Sequence, residues 1–476
     1  MRKEFVFNII LLLIINILVK LSYLFFIEVN VQNNLGPDEY GIFLALFNFS
    51  YLFQFINDPG IQSYNATSIA SGQQSIHGGF SSIVGVKIIG GALFIGSILI
   101  CGTWMGYNQE GWMMLLFLIS CNHILSTFFM LIRSTLSGNG HYRQDSYISA
   151  LDKLFMIAII GYLLYDKCPD FRLEDFVLGQ MASYILAIIV GLLLLAYKKI
   201  SFTPRVSFRQ SITIIKKSAP YALILLLMAS YNKMDGVMLE RLLPDGAYQA
   251  GIYAASLRYM DAANMGAYLF AGLLLPMFAR VKNNAREIDD LAQLAIKWMM
   301  TLVGTVVVVG IIYRTELMSI YNAINDQYDN LLILHLMSFG AVGVSYIYGT
   351  LLTATGKLKG MNIILLAGLI VNLILNLILI PKSMATGAAI ATFATQAVVM
   401  IGQLIVAIVL FKLSIKLLDV LKLIGFIGLS FIIINEWHDF VHLSWYLSAS
   451  VGAMFVVILS FLLGIIRKDM IFALIK

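Results

Sequence analysis

The chain has 476 residues, of which 60% are hydrophobic and only 12% are charged, and its formal net charge is +6. Soluble globular proteins are usually about a quarter charged, so this composition excludes a soluble globular protein and indicates a membrane protein throughout. In such a chain the net positive charge describes the loops on one side of the membrane, and we expect no nucleic-acid partner.

Long apolar runs recur along the whole chain, and a transmembrane helix needs about 20 such residues. The runs are continuous, whereas strands of a membrane barrel would alternate at every second residue. The sequence therefore predicts an all-α polytopic membrane protein with about 14 transmembrane helices. The predicted spans are 6–28, 41–62, 82–103, 112–132, 146–165, 176–197, 219–241, 248–275, 291–312, 330–353, 360–380, 384–411, 418–435 and 443–465.

The loops between these spans are alternately rich and poor in Lys and Arg. Loops rich in these residues are typically cytoplasmic, and loops poor in them are typically on the outer side. Both termini fall in the rich set, so both are predicted to be cytoplasmic. The first span has a basic start like a signal peptide. It is too long for one and no A-x-A-like cleavage site follows, so it is predicted to be uncleaved. The richest loop, about 198–218, lies between the sixth and seventh spans.

An internal repeat divides the chain at that loop. LGPDEYGIFLA at 35–45 resembles LPDGAYQAGIYA at 243–254, and LSGNG at 136–140 resembles LTATG at 352–356. The copies lie about 210 residues apart in the same order, which predicts a parallel repeat. The predicted domains are an N-terminal six-helix bundle at 1–199, a basic cytoplasmic linker at 200–218, a second six-helix bundle at 219–413, and two additional transmembrane helices at 414–476.

Four stretches carry a resemblance to a known family. They are LGPDEYGIF after the first span, DPGI at 58–61, MDGVMLERLLPDGAYQAGIYAASLR around the eighth span's start, and LLPMFARV at its end. In order and spacing the chain resembles the O-antigen type of polysaccharide flippase within the multidrug, oligosaccharidyl-lipid and polysaccharide exporter superfamily. It departs at Asp235-Gly236, where that family commonly has Asp-Arg, and at Asn33-Asn34, where an Ala-Arg pair is common.

The resemblance implies a flippase that moves undecaprenyl-pyrophosphate-linked oligosaccharide repeat units across the bacterial cytoplasmic (inner) membrane by alternating access. The product would serve O-antigen, capsule or exopolysaccharide synthesis. The implied partners are the lipid-linked glycan, membrane lipids, and candidate polymerase and chain-length-regulator proteins. It implies no cofactor and no metal. The three cysteines have no metal-ligand spacing.

Charged residues inside predicted spans are the candidate site, because a charge at the bilayer centre costs at least about 2.5 kcal/mol. The resemblance implies an anionic pyrophosphate, which cationic side chains suit by charge and hydrogen-bond geometry. The predicted pyrophosphate-binding cations are Lys20, Lys233 and Arg258. The candidate coupling or cavity carboxylates are Asp58, Asp235 and Asp261.

Four of these six residues also have a structural interpretation. Arg258 and Asp261 are spaced as an i,i+3 pair, Lys233 could extend to the outer interface, and Asp58 could brace a helix end at Pro-Gly. Three further lysines nearer cytoplasmic ends are expected to extend to the interface, and His335 is expected to be a packing residue. Those lysines are Lys87, Lys153 and Lys297.

Two other functions compete with the flippase. A cation-coupled multidrug exporter of the same superfamily would favour an acidic, aromatic cavity, against the cations found here. A polymerase or glycosyltransferase would be expected to have a large outer loop or a soluble catalytic domain, whereas the longest predicted outer connections are short. The sequence contains no Gly-rich phosphate loop or nucleophile elbow, so an enzyme is not expected.

Overall fold

A computed structural model describes residues 16–62, 65, 69, 79–109, 111–167, 170–200, 208–322, 326–414, 416–441 and 443–466. The chain divides into two compact units, Met1–Gly251 and Ile252–Lys476. Residues 201–207 of the predicted basic linker, the start of the first predicted span and the last ten residues lie outside the described part.

The described residues of the first unit include nine helices that lie wholly within it. A helix over 16–28 (α1) ends in the π-helical turn Leu24–Glu28. The helices that follow are α2 (Val29–Leu52), α3 (Gln54–Asn57), α4 (Gly79–Trp104), α5 (Trp112–Gly138), α6 (Tyr142–Ile148), α7 (Leu151–Asp166), α8 (Leu173–Tyr197) and α9 (Phe208–Leu242).

Helix α10 (Gly246–Val281) begins in the first unit and continues in the second. The remaining helices of the second unit are α11 (Ala285–Ile312), α12 (Arg314–Ser319), α13 (Asp326–Ala354), α14 (Leu358–Phe411), α15 (Leu417–Phe440) and α16 (Trp445–Leu462). Helices α15 and α16 pack on α11 around the buried side chains of Phe426, Ile434 and Val456.

Two backbone breaks separate helices that would otherwise run on. Gly36 has φ 75° inside α2, directly before Pro37, so the chain turns between the first two predicted spans. Met384 has φ 52° and ψ −135° inside α14, three residues after Pro381. At 1.5 Å per residue the 54 residues of α14 would reach about 80 Å, more than twice the hydrocarbon thickness. The break at Met384 therefore makes two spans of α14.

Eleven helices within the described residues are long and apolar enough to cross a membrane, and α14 is one of them. With α14 counted as two spans, and with α1 and the part of α2 after Gly36 matching the first two predicted spans, the helices agree with about 14 spans. The prediction of an all-α polytopic membrane protein is confirmed. The predicted domain bounds and the orientation of the termini stay predictions.

Candidate functional site

Asp58 holds together a helix end and a neighbouring helix. Its Oδ1 accepts a hydrogen bond from the backbone N–H of Ile61 at 2.8 Å. Its Oδ2 accepts from Gln62 Nε2 at 2.6 Å and from Lys87 Nζ, on α4, at 2.9 Å. The side chains of the Lys87–Asp58 pair are 3% and 8% exposed. These bonds match the bracing interpretation of Asp58, while a coupling role for it stays a prediction.

The three lysines expected to reach the interface all contact neighbouring side chains. Lys87 is buried in its pair with Asp58, so that expectation is wrong for Lys87. Lys153 Nζ lies 4.3 Å from the centroid of the Tyr23 ring. Lys297 Nζ lies 3.3 Å from a carboxylate oxygen of Asp419 on α15. The packing of neighbouring helices decides where each of these side chains turns.

Lys233, on α9, lies beside an aromatic group. Its Nζ is 5.8 Å from the centroid of the Tyr51 ring, and it interacts electrostatically with His123. Among the described residues Lys233 forms no ion pair with a carboxylate. The Tyr51 ring contacts the His123 ring with centroids 5.6 Å apart and stacks on Phe47 at 6.2 Å. This group is called the Lys233–Tyr51 site below, and its half-buried cation has an aromatic face as its neighbour.

The departure from the usual family pattern at Asp235-Gly236 lies where α9 packs closely on α2. Asp235 is 2% exposed and engaged with its neighbours. A Cβ at Gly236 would lie only 2.4 Å from Asn48 Nδ2, on α2. An arginine at this position, where a cation is common in the family, would therefore require the Asn48 amide to move.

Lys20 belongs to a different charged group of the same unit. It interacts electrostatically with Asp152, Arg133 and Lys153, which lie on α5 and α7. Arg133 is itself paired with Asp145, Nε to Oδ1, at 2.9 Å. Cations and carboxylates are mixed in this group, so Lys20 and Arg133 have carboxylates nearby.

The second unit contains the remaining predicted site residues. Arg258 and Asp261 form the i,i+3 pair with a separation of 3.4 Å, and Asp261 is 38% exposed at its side chain. His335 is fully buried, with Nδ1 2.9 Å from Ser256 Oγ and its ring against Tyr253. Its surroundings match the expectation of a packing residue.

The structure thus distributes the predicted residues between the units. Lys20 and Lys233 have different neighbours within the first unit. The first unit holds Lys20, Lys233, Asp58 and Asp235, and the second holds Arg258 and Asp261. The shared pyrophosphate site predicted for the three cations, and the coupling role of the three carboxylates, stay predictions.

Sequence reasoning missed His123, which is 5% exposed and anchors the aromatic group through its contacts with Phe47, Tyr51 and Phe94. It is one of only six histidines in the chain, and it follows Asn122 within an apolar run. This isolated polar pair is the feature of the sequence that could have indicated His123 as a site residue. Nothing in the sequence reveals that α5 places the ring against α2.

Residues 5–282 match the family described as polysaccharide biosynthesis protein, which is more than half of the chain. The chain belongs to this family. The membership confirms the resemblance to polysaccharide exporters drawn from its motifs. A search of curated protein sequences found no match.

Solved structures share the fold of this family member at low sequence identity. The lipid II flippase MurJ, in an inward closed conformation, aligns with a TM-score of 0.69 and 16% identity over 96% of both chains. A Vibrio cholerae MATE transporter, VcmN in the bent form, gives 0.56 and 13% over 86% of this chain and 97% of that one. A transporter of the MOP superfamily from Pyrococcus furiosus gives 0.58 and 14% over 86% and 96%. These structural relatives are a flippase and transporters, not enzymes.

We expect Lys87→Met to lower the free energy of unfolding by about 3–5 kcal/mol, because it leaves the Asp58 carboxylate buried without its cation. Unfolding of the purified protein in detergent, followed by circular dichroism, measures the loss. Lys167→Met is the matched control: it breaks the Lys167–Asp175 pair, whose lysine is 43% exposed, and should change stability by no more than about 1 kcal/mol. Equal losses in the two variants would contradict the bracing role of the buried pair.

Proposed function

We propose that the protein moves undecaprenyl-pyrophosphate-linked oligosaccharide units across the inner membrane by alternating access. Membership of the polysaccharide biosynthesis family and the fold shared with MurJ support a lipid-linked glycan as the cargo. The product would enter O-antigen, capsule or exopolysaccharide synthesis, where a polymerase and a chain-length regulator would act on it.

One observation identifies the residue that we propose binds the phosphate. Lys233 is the predicted site cation whose described neighbours are an aromatic ring and an imidazole rather than a carboxylate. A cation inside a membrane protein is costly when it has no counter-charge. An anionic phosphate group would supply that charge, and charge-assisted hydrogen bonds are shorter and stronger than neutral ones. Lys20 and Arg258 would contribute to the same anionic cargo at other points of its path.

The MATE-type relatives support a second candidate, a cation-coupled multidrug exporter. A cationic drug at the Lys233–Tyr51 site would meet a like charge, which disfavours binding. The flippase is therefore the function that the geometry supports better.

We expect Lys233→Gln to slow transport of a fluorescent undecaprenyl-pyrophosphate oligosaccharide in proteoliposomes by about 10- to 100-fold. This range corresponds to the loss of one charge-assisted hydrogen bond, about 1.5–3 kcal/mol. Lys198→Gln is the control, since Lys198 Nζ also lies over a tyrosine ring, that of Tyr197, at 5.7 Å, but beyond the end of α8. Its transport rate should match the unmodified protein.

Unchanged transport in Lys233→Gln would remove Lys233 from the anion site. Transport of a cationic dye without transport of the lipid-linked glycan would favour the multidrug exporter and overturn the proposed cargo.

A further inference from the structure

We propose that Tyr51 is the stacking platform for the first sugar of the cargo, next to the pyrophosphate held by Lys233. This inference rests on the proposed function and adds a glycan subsite to it. In a lipid-linked glycan the first sugar is joined directly to the pyrophosphate. A residue that contacts this sugar must therefore lie beside the cation that holds the phosphate, and Tyr51 is the aromatic neighbour of Lys233.

The chemistry of the ring suits a sugar. An aromatic face carries partial negative charge, and the C–H groups of one pyranose face carry partial positive charge. The ring face beside Lys233 would therefore attract the sugar once the Lys233 ammonium turns to the phosphate. Tyr51 is half-buried, so part of its side chain is accessible, unlike that of the buried Phe43 on the same helix.

The surroundings hold the Tyr51 ring in a fixed direction. Phe47 stacks on one side, with ring planes inclined by 25°, and His123 contacts it edge-on. His123 is in turn buried, and its ring also contacts those of Phe47 and Phe94. A ring held in this way loses little conformational entropy on binding, which is what a preorganised stacking surface requires.

Gln54, three residues after Tyr51, provides a hydrogen-bond acceptor. Gln54 Oε1 is buried and has no hydrogen-bond partner among the described residues. A buried acceptor without a partner costs free energy. A sugar hydroxyl donating to Gln54 would remove that cost, as stacking on Tyr51 brings the sugar alongside. The two groups together provide the apolar face and the polar contact that a sugar needs.

The test compares two lipids on the purified protein in nanodiscs: undecaprenyl pyrophosphate, and undecaprenyl pyrophosphate bearing one N-acetylhexosamine. We expect the unmodified protein to bind the sugar-bearing lipid about 2- to 10-fold more tightly, the range for one aromatic stacking contact. In Tyr51→Leu this ratio of affinities should fall to about one, and Tyr51→Phe should restore it because the ring is kept. Tyr165→Leu, at a tyrosine that is 87% exposed on α7, should keep the ratio.

The outcomes separate the two proposals. A ratio that persists in Tyr51→Leu, or a ratio near one in the unmodified protein, overturns the sugar platform while the pyrophosphate site stands. Failure of the unmodified protein to bind either lipid overturns the proposed function and the platform with it. If Tyr51→Leu does not fold, Tyr51→Gln serves in its place, because it also removes the ring.

A second, independent observation concerns the outer end of the transport path of the proposed cargo. The distribution of Lys and Arg predicts that this end is extracytoplasmic. The matching glycines of the internal repeat, Gly41 and Gly251, cross there. A Cβ on Gly41 would lie 1.8 Å from the carbonyl oxygen of Ala247, and a Cβ on Gly251 would lie 1.9 Å from that of Pro37. Gln32 Nε2 also donates to the Gly251 carbonyl at 3.0 Å. We infer that this reciprocal glycine crossing closes the outer end of the path.

A further contact holds the same end closed. The Arg241 guanidinium lies 3.9 Å from the centroid of the Tyr107 ring and donates to the Met105 carbonyl at 2.8 Å. The Tyr107 hydroxyl donates to Glu240 at 3.1 Å. Burial raises the pKa of the Tyr107 phenol, so the hydroxyl keeps its proton at neutral pH. The end of α9 is thus tied to the loop between α4 and α5, on the side where the glycines cross.

The glycine crossing is tested with a cysteine reporter at the buried Leu44, one turn inward from Gly41, after the native cysteines are replaced by serine. We expect Gly41→Val to raise labelling by an impermeant maleimide from outside by about 5- to 100-fold, because overpacking a tight contact forces the helices apart. Gly96→Val is the control, since a Cβ at Gly96 meets no atom within 4 Å. Equal labelling with and without the Gly41 substitution would overturn the inference, and Gly41→Ala decides if the valine variant does not reach the membrane.

Discussion

The structure depends on one constraint: a charge inside the membrane must have a partner. Where helices approach closely, the partner is another side chain, as in the buried pair of Lys87 with Asp58 and the pair of Arg133 with Asp145. Each pair joins neighbouring elements of the chain, Lys87 on α4 with the end of α3 and Arg133 on α5 with α6, so each also fixes how two elements pack. Lys233 differs because its described neighbour is the ring of Tyr51. The proposed function follows from that difference, since a cation beside an aromatic face can accept an anion from outside the chain.

Close backbone approach is the second organising feature. The crossing of Gly41 with Gly251, and the packing of Gly236 against Asn48, bring α2 against the end of α9 and the start of α10. In a membrane, helix association gains little from the hydrophobic effect and relies on van der Waals contact at small residues. The position next to Asp235 illustrates the consequence, because Gly236 lets the side chains of Asn48 and Leu44 on α2 pack directly against α9.

Family and fold lead to the same class of protein by separate routes. The family match rests on residues 5–282, whereas the similarity to MurJ extends over 96% of the chain. Low sequence identity with a shared fold is expected when most positions need only to be apolar. The residues that could distinguish a glycan-lipid cargo from a cationic drug are then few, and Lys233 and Tyr51 are the ones we propose in the first unit.

The sequence by itself determined the all-α membrane fold, the approximate bounds of the spans, the internal repeat and the family, because these follow from apolar run length and from local motifs. It also indicated which charges lie within the membrane, and it offered bracing by Asp58 as one interpretation. Only the tertiary structure decided their partners: Lys87 turns inward to Asp58, Lys20 joins a group that does not include Lys233, and His123 fixes the ring of Tyr51. The reason is physical. Span length depends on the neighbouring residues in the chain, whereas the direction of a charged side chain depends on helices whose approach the local sequence does not encode.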